Sequence, residues 1–245
     1  MHARLITDSI SWVGAIDWDR RLFDDLIPLP DGTTYNAYLV RGAEKTALLD
    51  AVDPAMLDTL LARLRNAGVE KIDYVVSHHT EQDHSGGIPR ILAQYPEARV
   101  LASDKAKGLL TDHLGLSEDR LRVVENGETI GLGGLTLEFI YFPWVHWPET
   151  MLTWLPERRV LFTCDLFGSH LATSDVLAHG DPRILPAAKR YYAEIMMPFR
   201  GFIEKNLDRV TALDPAMIAP SHGPVYDAPG LILDAYRDWV SGPPK

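Results

Sequence analysis

Cysteine is nearly absent from this chain. Cys164 stands alone among 245 residues, which excludes an intrachain disulfide framework and any cysteine-built zinc or iron–sulfur cluster. A reducing compartment suits such a chain. Positive charge is also scarce: 24 Lys and Arg face 34 Asp and Glu, for a formal net charge of -10. No Lys/Arg run overrides that balance, so an electrostatic nucleic-acid surface is excluded and the acidity serves solubility. Long apolar runs are missing, and none reaches the ~20 residues that cross a bilayer. The opening "MHARLITDSISWVG" has no basic head followed by an apolar stretch, so no signal peptide is expected. Repeats, low-complexity segments and obvious linkers are lacking as well. The expectation is a soluble, cytoplasmic protein without membrane or nucleic-acid partners, with residues 1–245 forming one domain.

What is present is a normal apolar fraction, 46%, enough for a sizeable core. Strand and helix patterns alternate along the chain. "NAYLV", "TALLDAV", "IDYVVS", "RVLAS", "RLRVVE" and "LTLEFIYFP" read as strands, and "TMLTWLP" with "RVLFTCD" reads as a hairpin turning at "ERR". "PAMLDTLLARLRNAG", "GGIPRILAQYP", "DKAKGLLTDHLG" and "GLILDAYRDWV" have helical spacing. The longest helical pattern, "PAAKRYYAEIMMPFRGFIEKNLDRV", is interrupted by Pro198. "AMIAPSHGP" is a last short strand and loop. Pattern alone predicts mixed α/β architecture.

Polar clusters recur where the predicted strands end. The densest is "SHHTEQDHSGG", which places His79, Glu81, Asp83 and His84 within six residues. Neighbouring carboxylates repel unless a cation lies between them. A solvated polar loop is the bland alternative, and it weakens as ligand-type residues accumulate. Three further segments supply His146 in "FPWVHWPET", Asp165 in "LFTCDLFG" and His222 in "IAPSHGP". Each alone reads as a core histidine or a capping aspartate. A zinc hydrolase loop would read His-x-His-x-Asp-His, whereas here Glu81 stands in the middle slot. Zinc favours nitrogen and sulfur ligands, while carboxylate with imidazole suits harder, redox-active ions. The added negative charge stabilises a higher oxidation state, which favours iron.

This ligand order and its neighbours resemble the metallo-β-lactamase fold and, more narrowly, the diiron domain of the flavodiiron proteins, or A-type flavoproteins. "GAIDWD", "GTTYNAYLV", "EQDHSGG", "HWPETM", "CDLFG", "RYYAEIMMPF" and "IAPSHGP" carry the resemblance, which spans nearly the whole chain. It implies an α/β four-layer αββα sandwich. It also implies two irons with an oxo or hydroxo bridge. His79, Glu81 and His146 would hold one, Asp83, His84 and His222 the other, and Asp165 would bridge them. The implied activity is binding and reduction of O2, with NO as an alternative, using electrons from a separate flavoprotein or rubredoxin-like donor. The family's FMN domain would begin where this chain ends, at "DWVSGPPK", so no FMN is expected in this chain. An O2-binding or sensing module without turnover and a zinc-dependent hydrolase remain as rival readings. A homodimer is compatible with the family.

Around the metals, Phe142, Trp144, Trp147 and Phe167 adjoin expected ligands and form either a dry gas pocket or ordinary core. Trp147 and His170 are candidates for contact with the ligands. One of Tyr191 and Tyr192 is expected to face the metals and donate a proton. His78 and Cys164, each next to a ligand, are expected to point away by strand alternation, and His2, His113 and His179 carry no signal. Where many family members have a histidine after "GAIDWD", this chain has Asp24 and Asp25 in "RRLFDDLIPLPDG".

Overall fold

The structure is a computed structural model that describes residues 2–242. The final residues of "DWVSGPPK", Pro243 to Lys245, lie outside the described residues. Strands alternate apolar residues to two faces, and both faces are buried here. In strand Thr46–Leu49, Ala47 and Leu49 point one way and Leu48 the other, all three fully buried. Strands Tyr74–Val76 and Arg99–Ala102 repeat the pattern, which is why they read as continuous apolar runs.

These strands belong to a seven-stranded sheet ordered Arg4–Leu5, Ile10–Trp12, Tyr38–Arg41, Thr46–Leu49, Tyr74–Val76, Arg99–Ala102, Leu121–Val123. Its first four strands pair antiparallel and the rest parallel. The parallel steps need crossovers, which helices Leu57–Asn66, Ile88–Gln94 and Asp104–Leu114 provide. Helix Leu57–Asn66 ends on Gly68 at φ +67, with Val69 N donating to Leu64 O at 3.0 Å. A second sheet runs Thr129–Gly131, Thr136–Tyr141, Met151–Leu155, Val160–Phe162, Met217–Ala219. Its last pairing is parallel and its crossover includes helices Ile184–Tyr191 and Arg200–Ala212.

Three apolar cores define the layers. Leu49, Val76 and Leu101 of the first sheet meet Leu137, Phe139, Met151 and Phe162 of the second. Outside the first sheet, Leu48, Val75 and Val100 pack on Leu60, Leu64, Ile91 and Leu110 of its helices. Outside the second, Leu152, Trp154 and Leu161 pack on Ile203, Leu207, Ile232 and Tyr236. The order is helix, sheet, sheet, helix, the αββα sandwich expected. No helix among the described residues is long and apolar enough to cross a membrane.

The observed elements are mostly shorter than their sequence patterns, and two differences matter. The N-terminal region holds strands that its short, turn-rich segments did not reveal, including a ribbon of Ala15–Asp17 with Thr33–Tyr35. The helical stretch breaks ahead of Pro198: a π turn at Tyr192–Met196 and a 3-10 turn at Met197–Phe199 separate the two α segments. The hairpin turn at "ERR" forms as expected between Met151–Leu155 and Val160–Phe162.

A buried polar link joins the sheets beneath the ligand loops. Asp50 follows strand Thr46–Leu49 in a left-handed conformation, φ +57. Its carboxylate accepts from His78 N at 2.9 Å and pairs with His78 Nδ1 at 2.7 Å. Ser221 Oγ donates to it at 3.3 Å, and His78 Nε2 meets Thr153 Oγ1 of the second sheet at 2.8 Å. Burial opposes ionisation of Asp50, but His78 outweighs it and holds the carboxyl below its ordinary range. Leaving a buried hydrogen-bonding group without its partner costs about 1–3 kcal/mol. Asp50→Ala is therefore expected to lose about that much in denaturant unfolding. Asp50→Asn, which tolerates the left-handed backbone, is expected to lose less. Equal stability of Asp50→Ala and wild type would contradict this role.

Candidate metal centre

The candidate ligands come from loops at the C-terminal ends of strands, where rigid sheets aim mobile connections at one place. His79 to Glu81 is extended, so His79 and Glu81 point to one side. Thr80 points to the other, where its N and Oγ1 donate to buried Glu149 at 3.0 and 2.6 Å. A single helical turn, Gln82–Ser85, then rotates Asp83 and His84 toward a second position. Ser85 Oγ donates to Thr80 O at 2.9 Å and holds that turn. His146 comes from the connection after Thr136–Tyr141, Asp165 from the loop after Val160–Phe162, and His222 from the loop after Met217–Ala219. Gly223 follows at φ +78, where a Cβ would stand 2.0 Å from Ser169 Oγ.

The seven residues form two donor groups. His79, Glu81, His146 and Asp165 make one, and Asp83, His84 and His222 the other, with donor atoms within 4.8 Å in each. Asp165 divides its oxygens between them. Oδ2 lies 2.9 Å from His146 Nε2 and 3.4 Å from His79 Nε2, while Oδ1 lies 3.2 Å from His84 Nε2 and 3.7 Å from His222 Nε2. Glu81 Oε2 is 3.2 Å from both His79 and His146.

These residues fit metal ions better than they fit one another. Both oxygens of Asp83 and Oδ1 of Asp165 are buried without a hydrogen bond, although Asp83 Oδ2 lies 3.1 Å from His84 Nε2 and 3.3 Å from His222 Nε2. The Nε2 atoms of His84 and His222 face each other at 3.1 Å, where only one proton can lie. Metal–ligand bonds of about 2.1 Å give edges between ligands of roughly 3.0–3.4 Å. The atoms therefore aim at common points between them.

Electrostatics agree. Burial disfavours charge on His84, but Asp83 and Asp165 outweigh it and push its pKa up to about 10. His146 is pushed up to about 9 against burial by hydrogen bonding to Asp165 and Glu81. Burial opposes ionisation of Asp83 and Asp165 too, yet the imidazoles hold both carboxyls far below their usual range. The cage is built to contain positive charge.

Around the cage, the expectation for Cys164 is corrected and the other neighbours find their places. Tyr191 faces the site, with its ring 5.8 Å from that of His222 and 4.9 Å from that of His170, and its buried hydroxyl is unpaired. Tyr192 turns away and donates to Trp239 O. His170 contacts a ligand ring, at 4.8 Å from His222, and its Nδ1 meets Thr33 Oγ1 at 2.9 Å. Burial, with His222 beside it, holds its pKa well below the ordinary value. Trp147 stands edge-on to His79 at 6.1 Å. Phe142 and Phe167 belong to the outer core, the ordinary-core alternative, and Trp144 is 44% exposed against Phe202, while Trp147 stays at the cage. Phe199 near His146 and Phe23 near His222 and His170 add to its aromatic surroundings. His78 stays outside the cage, on Asp50. Cys164 does not point away: its Sγ lies 3.2 Å from His79 Nδ1. Burial pushes that thiol up to about 12.

A cavity of about 520 Å³ opens on Glu81, lined by Asp24, Thr80, Gln82, Ser85, His113, Leu114 and Trp147. His113 thus borders the site, although its place on an exposed helix face gave no sign of it. Asp24, at φ +49, is raised by partial burial and by the charges of Glu81 and Asp83. His2 is exposed, Asp25 is an exposed neighbour of Asp24, and His179 pairs with Asp227 at the surface.

The family model described as ODP family beta lactamase matches residues 33–223. A nitric oxide reductase from Moorella thermoacetica is 41% identical over 249 residues, covering 98% of this chain and 62% of that protein. A coenzyme F420H2 oxidase from Methanothermobacter marburgensis is 38% identical over 251 residues, with the same two coverages. Among solved structures, the rubredoxin:oxygen oxidoreductase of Desulfovibrio gigas superposes with a TM-score of 0.93 at 32% identity, covering 98% of this chain and 62% of that one. The chain thus spans less than two thirds of the length of these relatives.

An ion that binds only the folded cage stabilises it by about 4 kcal/mol at a thousandfold excess over Kd. Chelation is expected to lower the thermal midpoint of wild-type protein, and added Fe(II) or Zn(II) to restore it. Asp165→Ala should show a much smaller difference between the two conditions. An unchanged difference would remove Asp165 from the site.

Proposed function

Because the chain belongs to the ODP family of β-lactamase-like proteins, within the diiron cores of flavodiiron proteins, we propose that it is a nonheme diiron oxidoreductase reducing O2, and also NO. In this proposal residues 1–245 are one metallo-β-lactamase-like domain. His79, Glu81 and His146 hold one iron, Asp83, His84 and His222 the other, and Asp165 bridges. The carrying observation is the division of the Asp165 oxygens between two groups, each completed by two imidazoles and one further carboxylate. Glu81 in the slot where a zinc hydrolase places histidine supports iron over zinc.

The residues named would hold two irons, and such a pair would supply two electrons between its ferrous and ferric states. Complete reduction of O2 to water takes four electrons, so a donor outside these residues must supply the rest. A flavoprotein or a rubredoxin-like protein fits that role, and the name of the Desulfovibrio relative supports the latter. The chain's own residues provide the surroundings. Phe23, Phe199 and Trp147 keep bulk water from the imidazoles. The cavity beside Glu81 gives small gases access. Burial first, then Asp165 and Glu81, raises the Tyr191 phenol well above its ordinary pKa, so Tyr191 retains a proton to donate. A reducing, cytoplasmic setting is part of the proposal, supported by the single unpaired Cys164.

Protein expressed with ample iron is expected to contain about two irons per chain. After anaerobic reduction its spectrum should change on exposure to O2 or NO, with sustained O2 uptake when a reductant is supplied. A persistent change without reductant consumption would indicate sensing. Two zincs with ester or thioester hydrolysis would indicate a hydrolase. Tyr191→Phe is expected to keep its iron and lose turnover by on the order of 100-fold; full turnover in that variant would dismiss Tyr191 as proton donor.

A further inference from the structure

Cys164 touches all three of the loops that follow the strands and carry His79, Asp165 and His222. Its Sγ lies 3.2 Å from His79 Nδ1. Asp165 is the next residue. The Cys164 carbonyl accepts from Ser221 N at 2.7 Å, one residue before His222. The backbone at Cys164 is left-handed, φ +54, a conformation that asparagine or glycine adopts at lower cost. Backbone geometry therefore does not explain a cysteine here, whereas the sulfur contact does.

The ring of His79 has a defined orientation. Nε2 faces Glu81 Oε2 and Asp165 Oδ2, at 3.2 and 3.4 Å, the same two oxygens that His146 Nε2 faces. When Nε2 is the metal-facing atom, Nδ1 carries the ring proton and donates it to Sγ. The corresponding bond of His222 is different in kind: its Nδ1 donates to Thr34 O at 2.6 Å. Thiol sulfur is a weaker acceptor than a carbonyl, and the strength of that outer bond sets how strongly an imidazole donates to a metal.

We infer that Cys164 is a positioning residue that fixes the ring of His79 and, through a weak N–H···S bond, keeps the reduction potential of the diiron centre above the value an oxygen acceptor would give. The inference rests on the proposed diiron reading.

The test is electrochemical titration of iron-loaded wild type, Cys164→Asn, Cys164→Ser and Cys164→Ala, with iron content and thermal midpoint measured alongside. Asn relieves the left-handed backbone and presents an amide oxygen, so its potential should fall while its stability holds or rises. Ser should shift the potential in the same direction. Ala has no acceptor, so its potential should rise. Two irons in every protein with indistinguishable potentials would overturn the inference and leave the diiron reading standing, as would changes confined to the thermal midpoint. If Ala does not fold, the shifts in Asn and Ser decide. Wild-type protein that takes up no iron would overturn the diiron reading and the inference with it.

Discussion

Everything in this molecule is arranged around a charge problem. Three carboxylates and four imidazoles converge in a space that water barely reaches. Left empty, such a cage must hold protons on histidines that burial would rather keep neutral, and the raised His84 and His146 show that demand. Asp165 cannot satisfy two groups of imidazoles by hydrogen bonding, because its oxygens are aimed between the nitrogens. Cations at those points satisfy both groups together.

The fold meets this problem with rigidity. No single segment supplies the cage; three loops after parallel strands and one after an antiparallel strand do. Their relative positions depend on the contact between two sheets, where Leu49, Val76 and Leu101 meet Phe139 and Phe162. The Asp50–His78–Thr153 link crosses the same interface just below the metal positions. Apolar packing sets the distance between sheets without direction, and this polar link adds direction. The ligand loops can then be short and strained, with left-handed residues at Trp144, Cys164 and Phe167.

Much of the cage was legible because its ligands are dense in sequence. His79, Glu81, Asp83 and His84 fall within one extended piece and one helical turn, so spacing alone indicates which share a side. The remaining ligands were legible as isolated polar residues at the ends of apolar strands. What escaped notice depends on backbone direction or on distant partners. Strand alternation predicted that Cys164 would point away from the cage. That rule holds only for extended backbone, and Cys164 lies beyond the strand end at φ +54. Phe142 and Phe167 stand near His146 and Asp165 in sequence but pack in the outer core, because left-handed backbone at Trp144 and Phe167 breaks the regular alternation there. Phe23, Phe199 and Glu149 reach the site by tertiary packing from segments with no motif of their own.

The same distinction separates residues that the fold constrains tightly from residues that it leaves freer. The ligand order and the sheet interface are coupled, since each ligand loop is pinned by the sheet that precedes it. Residues that touch ligands from outside the cage are not so bound. Thr34 on His222 and Cys164 on His79 present different acceptors to two similar imidazoles, and Asp24 and His113 border the cavity that opens on Glu81. Substitutions there would change donor strength, access and local charge without removing a candidate ligand, and the one cysteine of this chain lies among these residues.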